Sequence, residues 1–320
     1  MPVDPTRTLT IRRRYEAEIA RRIRNLARLV EWAIGEVDAL ALGRGVLGHA
    51  AFAPDFGDIP PPRFDFPTSA EKVAAFMDWL REMQDQGVLE VIERDEAGRI
   101  VARQAWQNVY IRSAYQKGLA DARRDLRLPL PVEQGPFGLP ADALFGSPFN
   151  APIHADAVGM LFTRNFEELR GITSDMSQRM SRMLAQGLAE GRGPRQIASA
   201  LRREMEGMPL ARARMLARTE VVRAHYEAKL NQFETLEVEG VSIQAEILTA
   251  GDGRVCERCN ALQLRTSRSP IPISKARGLI PQHPNCRCTA IPANVGENRA
   301  AREERARLAA IRSRIGQDAA

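Results

Sequence analysis

The chain has 320 residues and a formal charge of +6, and 44% of it is hydrophobic while only 6% is aromatic. That length suits two or three folding units, and the composition favours helices packed through Ala, Leu and Met over a large sheet. No apolar run is long enough to span a bilayer, so no membrane partner is expected, and the 40 acidic residues interspersed among 46 basic ones argue against one broad positive field.

Only four basic residues are lysines, namely Lys72, Lys117, Lys229 and Lys275. Arginine is the better bidentate partner for phosphate and carboxylate, although a GC-rich coding sequence is the simpler account of the bias. Residues 1–28 are the exception to the mixed charge pattern, with eight arginines against Asp4, Glu16 and Glu18. An arm carrying Arg12, Arg13 and Arg14 suits contact with nucleic acid or an acidic partner.

From Thr8 to Leu42 the apolar residues Ile19, Ile23, Leu26, Val30, Ala33 and Val37 recur at helical spacing. The glycines of 43–48 resemble a dinucleotide loop, but the order of elements around them is wrong, and they read as a helix end running into a loop. Thr68-Ser69-Ala70-Glu71 is a capping box that opens a helix ending at Gly87. Residues 88–92 and 100–103 predict a hairpin, and Trp106, Tyr110, Ala114 and Leu119 predict a helix over 103–127. Six prolines and three glycines between Leu128 and Ile153 mark a linker.

The longest seam follows, from Val158 through Leu169, Met176 and Met180 to Leu188, and predicts a helix over 155–190 with its methionines in the core. Gly193-Pro194 starts another helix, and a third covers 209–235, which makes a helical hairpin a better reading than a helix-turn-helix. The third helix has a small-residue stripe of Ala213, Ala217, Val221, Ala224 and Ala228. Arg218, Thr219 and Glu220 lie on it and read as partners to neighbouring elements, and His225 reads as a surface residue.

Val241, Ile243, Ala245 and Ile247 alternate as one face of a strand, which leads into Asp252-Gly253 and Cys256-Glu257-Arg258-Cys259. A 23-residue loop separates these from His283-Pro284-Asn285-Cys286-Arg287-Cys288. All four cysteines are therefore confined to one segment. Cys-x2-Cys aims two sulfurs at one tetrahedral ion, and His-x2-Cys supplies the opposite half. Cys256, Cys259, His283 and Cys286 are the expected ligands of one structural zinc, with Cys288 as the alternate or a free thiol. Two disulfides are the competing reading. The chain begins without a basic-then-apolar leader, so synthesis in a reducing cytosol is expected, which favours metal.

Thr289 to Pro292 is expected to pair beside the strand and to end at the proline. Arg265, Arg268, Lys275 and Arg277 occupy the inter-ligand loop, which has no acidic residue from 260 to 282 and is a candidate surface for DNA phosphates. Residues 297–316 predict a charged terminal helix. The expected fold class is mainly α (α+β), a helical N-terminal part and a long-helix C-terminal part ending in a small Cys/His-stapled β module. Its boundaries are expected at 1–127 (helical), 128–153 (linker), 154–236 (long helices), 237–293 (β module) and 294–320 (charged helix or tail).

Arg218-Thr219-Glu220, the Asp252-to-Cys259 stretch and Pro281-x-His283-Pro284-Asn285-Cys286-Arg287-Cys288 together resemble the Mu F-like head morphogenesis proteins, over roughly residues 155–293. The resemblance implies a low-copy minor capsid protein of a tailed phage or phage-derived particle. Such a protein would assemble in the host cytoplasm with portal and capsid proteins, reside in the virion, and in some cases have an affinity for packaged DNA. It implies no enzyme. A zinc-stapled nuclease is the catalytic alternative, but the module's one histidine is expected to be a ligand, and no phosphate loop, zinc-protease or serine-hydrolase motif is present.

Overall fold

The computed structural model describes residues 4–43, 61–94, 100–127, 152–238 and 241–297. The glycine loop of 43–48 beyond Gly43, the hairpin turn, nearly all of the expected linker and the terminal helix lie outside the described residues.

The chain is mainly helical, with a small antiparallel sheet near its C-terminal end. Helix α1 (Leu9–Glu31) runs into a π-helical turn at Trp32–Glu36, and α2 (Ser69–Gln84) into another at Asp85–Leu89. Strands β1 (Val91–Arg94) and β2 (Ile100–Gln104) pair antiparallel, as the flanking apolar runs predict. Then come α3 (Asn108–Asp125), α4 (Pro152–Ala189), α5 (Pro194–Glu206) and α6 (Met208–Val238). Strand β3 (Val241–Leu248) follows, then α7 (Glu257–Arg268), β4 (Ile271–Pro272), the single turn α8 (Ile273–Ala276) and β5 (Thr289–Glu297).

Local chemistry sets the helix ends. Thr68 Oγ1 accepts from the Glu71 amide while the Glu71 carboxylate accepts from the Thr68 amide, which satisfies two donors that the first turn leaves open. Pro194 sits in the first turn of α5, where its missing N–H is harmless.

Contacts divide the chain into two compact units, each discontinuous in sequence. One contains Met1–Ile11, Tyr110–Leu161 and Thr219–Ala320, the other Arg12–Val109 and Phe162–Arg218. The consecutive boundaries expected from proline and glycine content do not follow this division, because the long helices α4 and α6 each contribute residues to both units.

In the second unit, Tyr15, Ile19, Ile23, Leu26, Phe76, Leu80, Leu169, Met176 and Met180 are buried, so the methionines are core. Tyr15 packs edge-on against Trp106 and donates to Asn165 Oδ1 at 3.0 Å. Arg22 lies over the Trp106 ring at 4.4 Å.

In the first unit, β3 is central, flanked by β4 and β5. Ile243, Ala245 and Ile247 are buried, as their alternation predicts. They share one apolar cluster with Tyr226, Leu230 and Phe233 of α6 and with Cys259, Cys286 and Cys288. β5 does not stop at Pro292. It pairs with β3 as far as Glu297, with Pro292 opposite Ala245, and the register shifts where Asn294 takes a left-handed φ of 50°. A proline on an edge strand removes no ladder bond when its nitrogen faces away from the partner, so pairing continues past it.

α3 and α6 cross at close quarters. A Cβ on Gly118 would lie 2.3 Å from the His225 carbonyl oxygen and 2.7 Å from the Ala228 Cβ. The small-residue stripe of α6 is buried throughout. His225 is fully buried, not a surface residue, because α3 presents Asp121, whose Oδ2 lies 3.1 Å from His225 Nε2. Burial pushes Asp121 up, but hydrogen bonds from His225 and Lys117 hold it well below the usual carboxylate range. Burial holds His225 and His154 below the ordinary histidine value. Lys229, beside His225, is buried and paired with Asp125 at 2.5 Å.

Gly118→Ala is expected to destabilise the protein by about 2 kcal/mol in urea melts, since separating two packed helices outweighs the gain of about 1 kcal/mol in helix propensity. The histidines predict acid sensitivity of a definite sign. An unfolded chain takes up protons near pH 6.5 that the buried rings refuse, so stability is complete above about pH 7 and is lost as pH falls below about 6.5. Melting temperature should drop over that interval, and His225→Gln should flatten the drop.

Candidate metal centre

The first pair of cysteines is built by a helix start. Cys256 is the N-cap of α7, and its Sγ accepts from the Cys259 amide at 3.4 Å. That bond, with the positive end of the helix, lowers the Cys256 thiol below its ordinary value. Cys259, one turn in, is buried against the sheet. The expected long loop between the ligand pairs is therefore mostly ordered into α7, β4 and α8. The overlooked signal was the Cys256–Glu257 start itself, a helix cap followed by an acidic first-turn residue.

The second half comes from the turn before β5. Asn285 adopts a left-handed φ of 62°, which asparagine tolerates better than most side chains, and the Cys286 amide donates to the His283 carbonyl at 3.2 Å. His283 Nδ1 lies 2.8 Å from the Pro284 carbonyl, which fixes the proton there and leaves the Nε2 lone pair facing Cys259 Sγ at 3.3 Å.

The donors form two triads that share Cys259: Cys256, Cys259 and His283, and Cys259, Cys286 and Cys288. In each triad the ligand atoms lie within 4.8 Å of one another. Cys259 and Cys286 sulfurs are 3.9 Å apart. A tetrahedral zinc site needs about 3.8 Å between sulfurs and about 3.5 Å between sulfur and nitrogen; the Cys259–Cys286 and Cys259–His283 separations are close to these, and either triad needs a fourth donor drawn in from the other to close the site. All four cysteines are free thiols. Cys288, expected as an alternate or a bystander, is buried inside the second triad.

The thiols differ in readiness. Hydrogen bonding from Cys288 lowers Cys286 to about 5, whereas burial and the neighbouring Cys286 push Cys259 up to about 12. Cys288 is pushed up by its bond to Cys286 and by burial. When bound, a zinc ion would hold the start of α7 and the start of β5 together as a closed structural link.

The surroundings lock both halves to α6. Asn285 N–H donates to Thr219 Oγ1 at 3.2 Å, which gives the middle residue of Arg218-Thr219-Glu220 a definite task. Arg218 instead faces Glu16 at 3.5 Å, and buried Glu220 pairs with Arg223 at 3.2 Å. Asp252 takes a two-pronged bond from Arg287, at 2.6 and 2.7 Å. Arg287 holds the Asp252 carboxyl far below the usual range. Tyr226 donates to the Ala276 carbonyl at 2.7 Å.

The expected basic surface is only partly realised. Arg265, Arg268 and Lys275 are exposed, and so is Arg258 on α7, which the sequence reading passed over. Arg277 is drawn back onto α6, where it bonds Glu227, Asn231 and Glu234, so it belongs to the internal scaffold. At the other end of the chain, Arg13 and Arg14 are exposed on α1, but Arg12 is buried, because the expected arm is the helix itself and every third or fourth position turns inward.

Protein purified under reducing conditions is expected to carry one zinc per chain by elemental analysis, with thiols shielded until a chelator is added. Cys259→Ser should abolish binding, since it removes the donor common to both triads. His283→Ala and Cys288→Ala, compared by zinc content, identify the fourth ligand as whichever replacement loses the metal.

No curated protein and no solved structure matches the chain significantly. Residues 178–291, which run from α4 through the Cys/His cluster into β5, match the family model described as Phage Mu protein F like protein, and over that segment the chain is similar to that family.

Proposed function

We propose that this chain is a structural protein of a tailed phage or phage-derived particle, acting in head morphogenesis next to the portal. The observation that carries the reading is the extent of the family match. It includes the Thr219 position, both halves of the Cys/His cluster and the first residues of the strand that follows, and Thr219 is bonded to Asn285 within the second half. From Thr219 onward the matched segment ties helix, sheet and cluster together.

The proposed role is not catalytic. A general base must reach a substrate proton, and His225 is fully buried while His283 directs its available nitrogen at Cys259. The cluster's chemistry is that of a closed structural site. In a phage genome lacking this gene, infectious particles are expected to fall sharply and to be restored by the wild-type chain but not by Cys259→Ser. Normal, filled heads formed without the protein would overturn the reading.

A second, compatible reading is that the protein contacts packaged DNA, and the exposed Arg258, Arg265, Arg268 and Lys275 favour it. Such contact would be to phosphates and independent of sequence. Anisotropy with a short duplex should show affinity falling steeply with salt, and replacing two of these arginines by alanine should reduce the logarithmic slope by about 1.8. Absence of binding at low salt would remove this reading and leave the structural one intact.

A further inference from the structure

A tetrahedral ion takes four donors, and the start of α7 and the turn before β5 together offer five. Cys259 is the only donor that belongs to both triads. The thiols also differ in reach. Cys259, Cys286 and Cys288 are buried, whereas Cys256 is partly exposed at the N-cap of α7. A small reagent arriving from solvent therefore meets Cys256 first.

Oxidation-responsive cysteines combine such exposure with a second thiol beside them that completes the reaction. Cys259 is the one thiol that shares a triad with Cys256, and their sulfurs lie within 4.8 Å of each other. Cys286 and Cys288 belong to the other triad. The Cys259 amide already donates to Cys256 Sγ at 3.4 Å, so the turn that carries the pair is closed before any reaction.

We propose that the cluster is an oxidation site at which hydrogen peroxide joins Cys256 to Cys259 and thereby expels the metal. The proposal rests on the cluster holding zinc. In the first step one peroxide oxygen bonds to the Cys256 sulfur, the O–O bond breaks, and the other oxygen leaves as water, which gives a sulfenic acid. The Cys259 sulfur then bonds to the Cys256 sulfur and displaces the hydroxyl group as a second water. Two thiols and one peroxide become one disulfide and two waters; the sulfurs give up two electrons and the peroxide takes them. Where zinc has replaced the thiol protons, solvent supplies two.

The five donors then fall to three, Cys286, Cys288 and His283, and both triads have lost the sulfur they shared. The start of α7 and the start of β5 are no longer joined through a metal, so the link holds under reducing conditions and opens under oxidising ones. A Cys259–Cys286 bridge, whose sulfurs are 3.9 Å apart, would instead replace the metal link by a covalent one, but both of its thiols are buried.

The test uses the full chain, reduced and loaded with zinc, with zinc measured before peroxide is added. After brief exposure, dimedone labelling located by peptide mass spectrometry is expected on Cys256, at least about tenfold above any other cysteine. Longer exposure should release one zinc per chain to a chromogenic chelator, and dithiothreitol with added zinc should restore binding. Trypsin cuts after Arg258, between the two cysteines, so the disulfide is expected as two joined peptides in the unreduced digest. Zinc present at the outset and retained through the treatment, first labelling at Cys286 or Cys288, or a Cys259–Cys286 bridge would each overturn the proposal and leave the metal reading standing. Absence of zinc before peroxide is added would overturn both.

Discussion

A buried thiol one turn into a helix, with sulfur and imidazole donors crowded around it, is the constraint from which the C-terminal unit takes its form. Cys259 is shared by both donor triads and is also part of the apolar cluster that includes Phe233 and Ile247. Its position is therefore fixed twice, by packing and by ligand geometry. The three-stranded sheet is too small to support itself, and a helix of twelve residues laid against it adds little alone. The residues that gather the cluster are the same ones that join sheet to helix, so folding of the sheet and assembly of the site are one process.

That coupling extends into α6. Thr219, Tyr226, Glu227, Asn231 and Glu234 project from successive turns of one helix and receive the turn before β5, the end of α8 and Arg277. The helix serves as a ruler along which the module is aligned. Ala228 and the His225 carbonyl face elsewhere, toward α3, where Gly118 allows backbone contact. A single helix thus satisfies two unlike neighbours, one by polar attachment and one by close approach.

Most elements were legible because they obey local rules. The capping box at Thr68, the alternation in β3 and the seam of α4 each follow from the spacing of apolar and polar residues. The clustering of the cysteines with His283 was legible because all of them fall at short spacing in one segment. What sequence could not supply were pairings between distant segments. Nothing near His225 announces that Asp121, 104 positions away, will face it. Arg277 looked like one more cation in a basic stretch, and only the fold shows three partners waiting on α6. The unit boundaries were hidden for the same reason, since a proline-rich segment marks where regular structure stops and says nothing about which helices pack together.

The outer side of β5 bears on how one copy meets another. An exposed strand edge is where like chains can pair with one another. Pro292 gives this edge no amide at its middle, and the left-handed turn at Asn294 spoils the straightness that a second strand would need. Contacts along this edge are then favoured through side chains, which can be selective, over backbone ladders, which are indifferent to sequence. A chain built this way can be crowded against its siblings and still keep its sheet to itself.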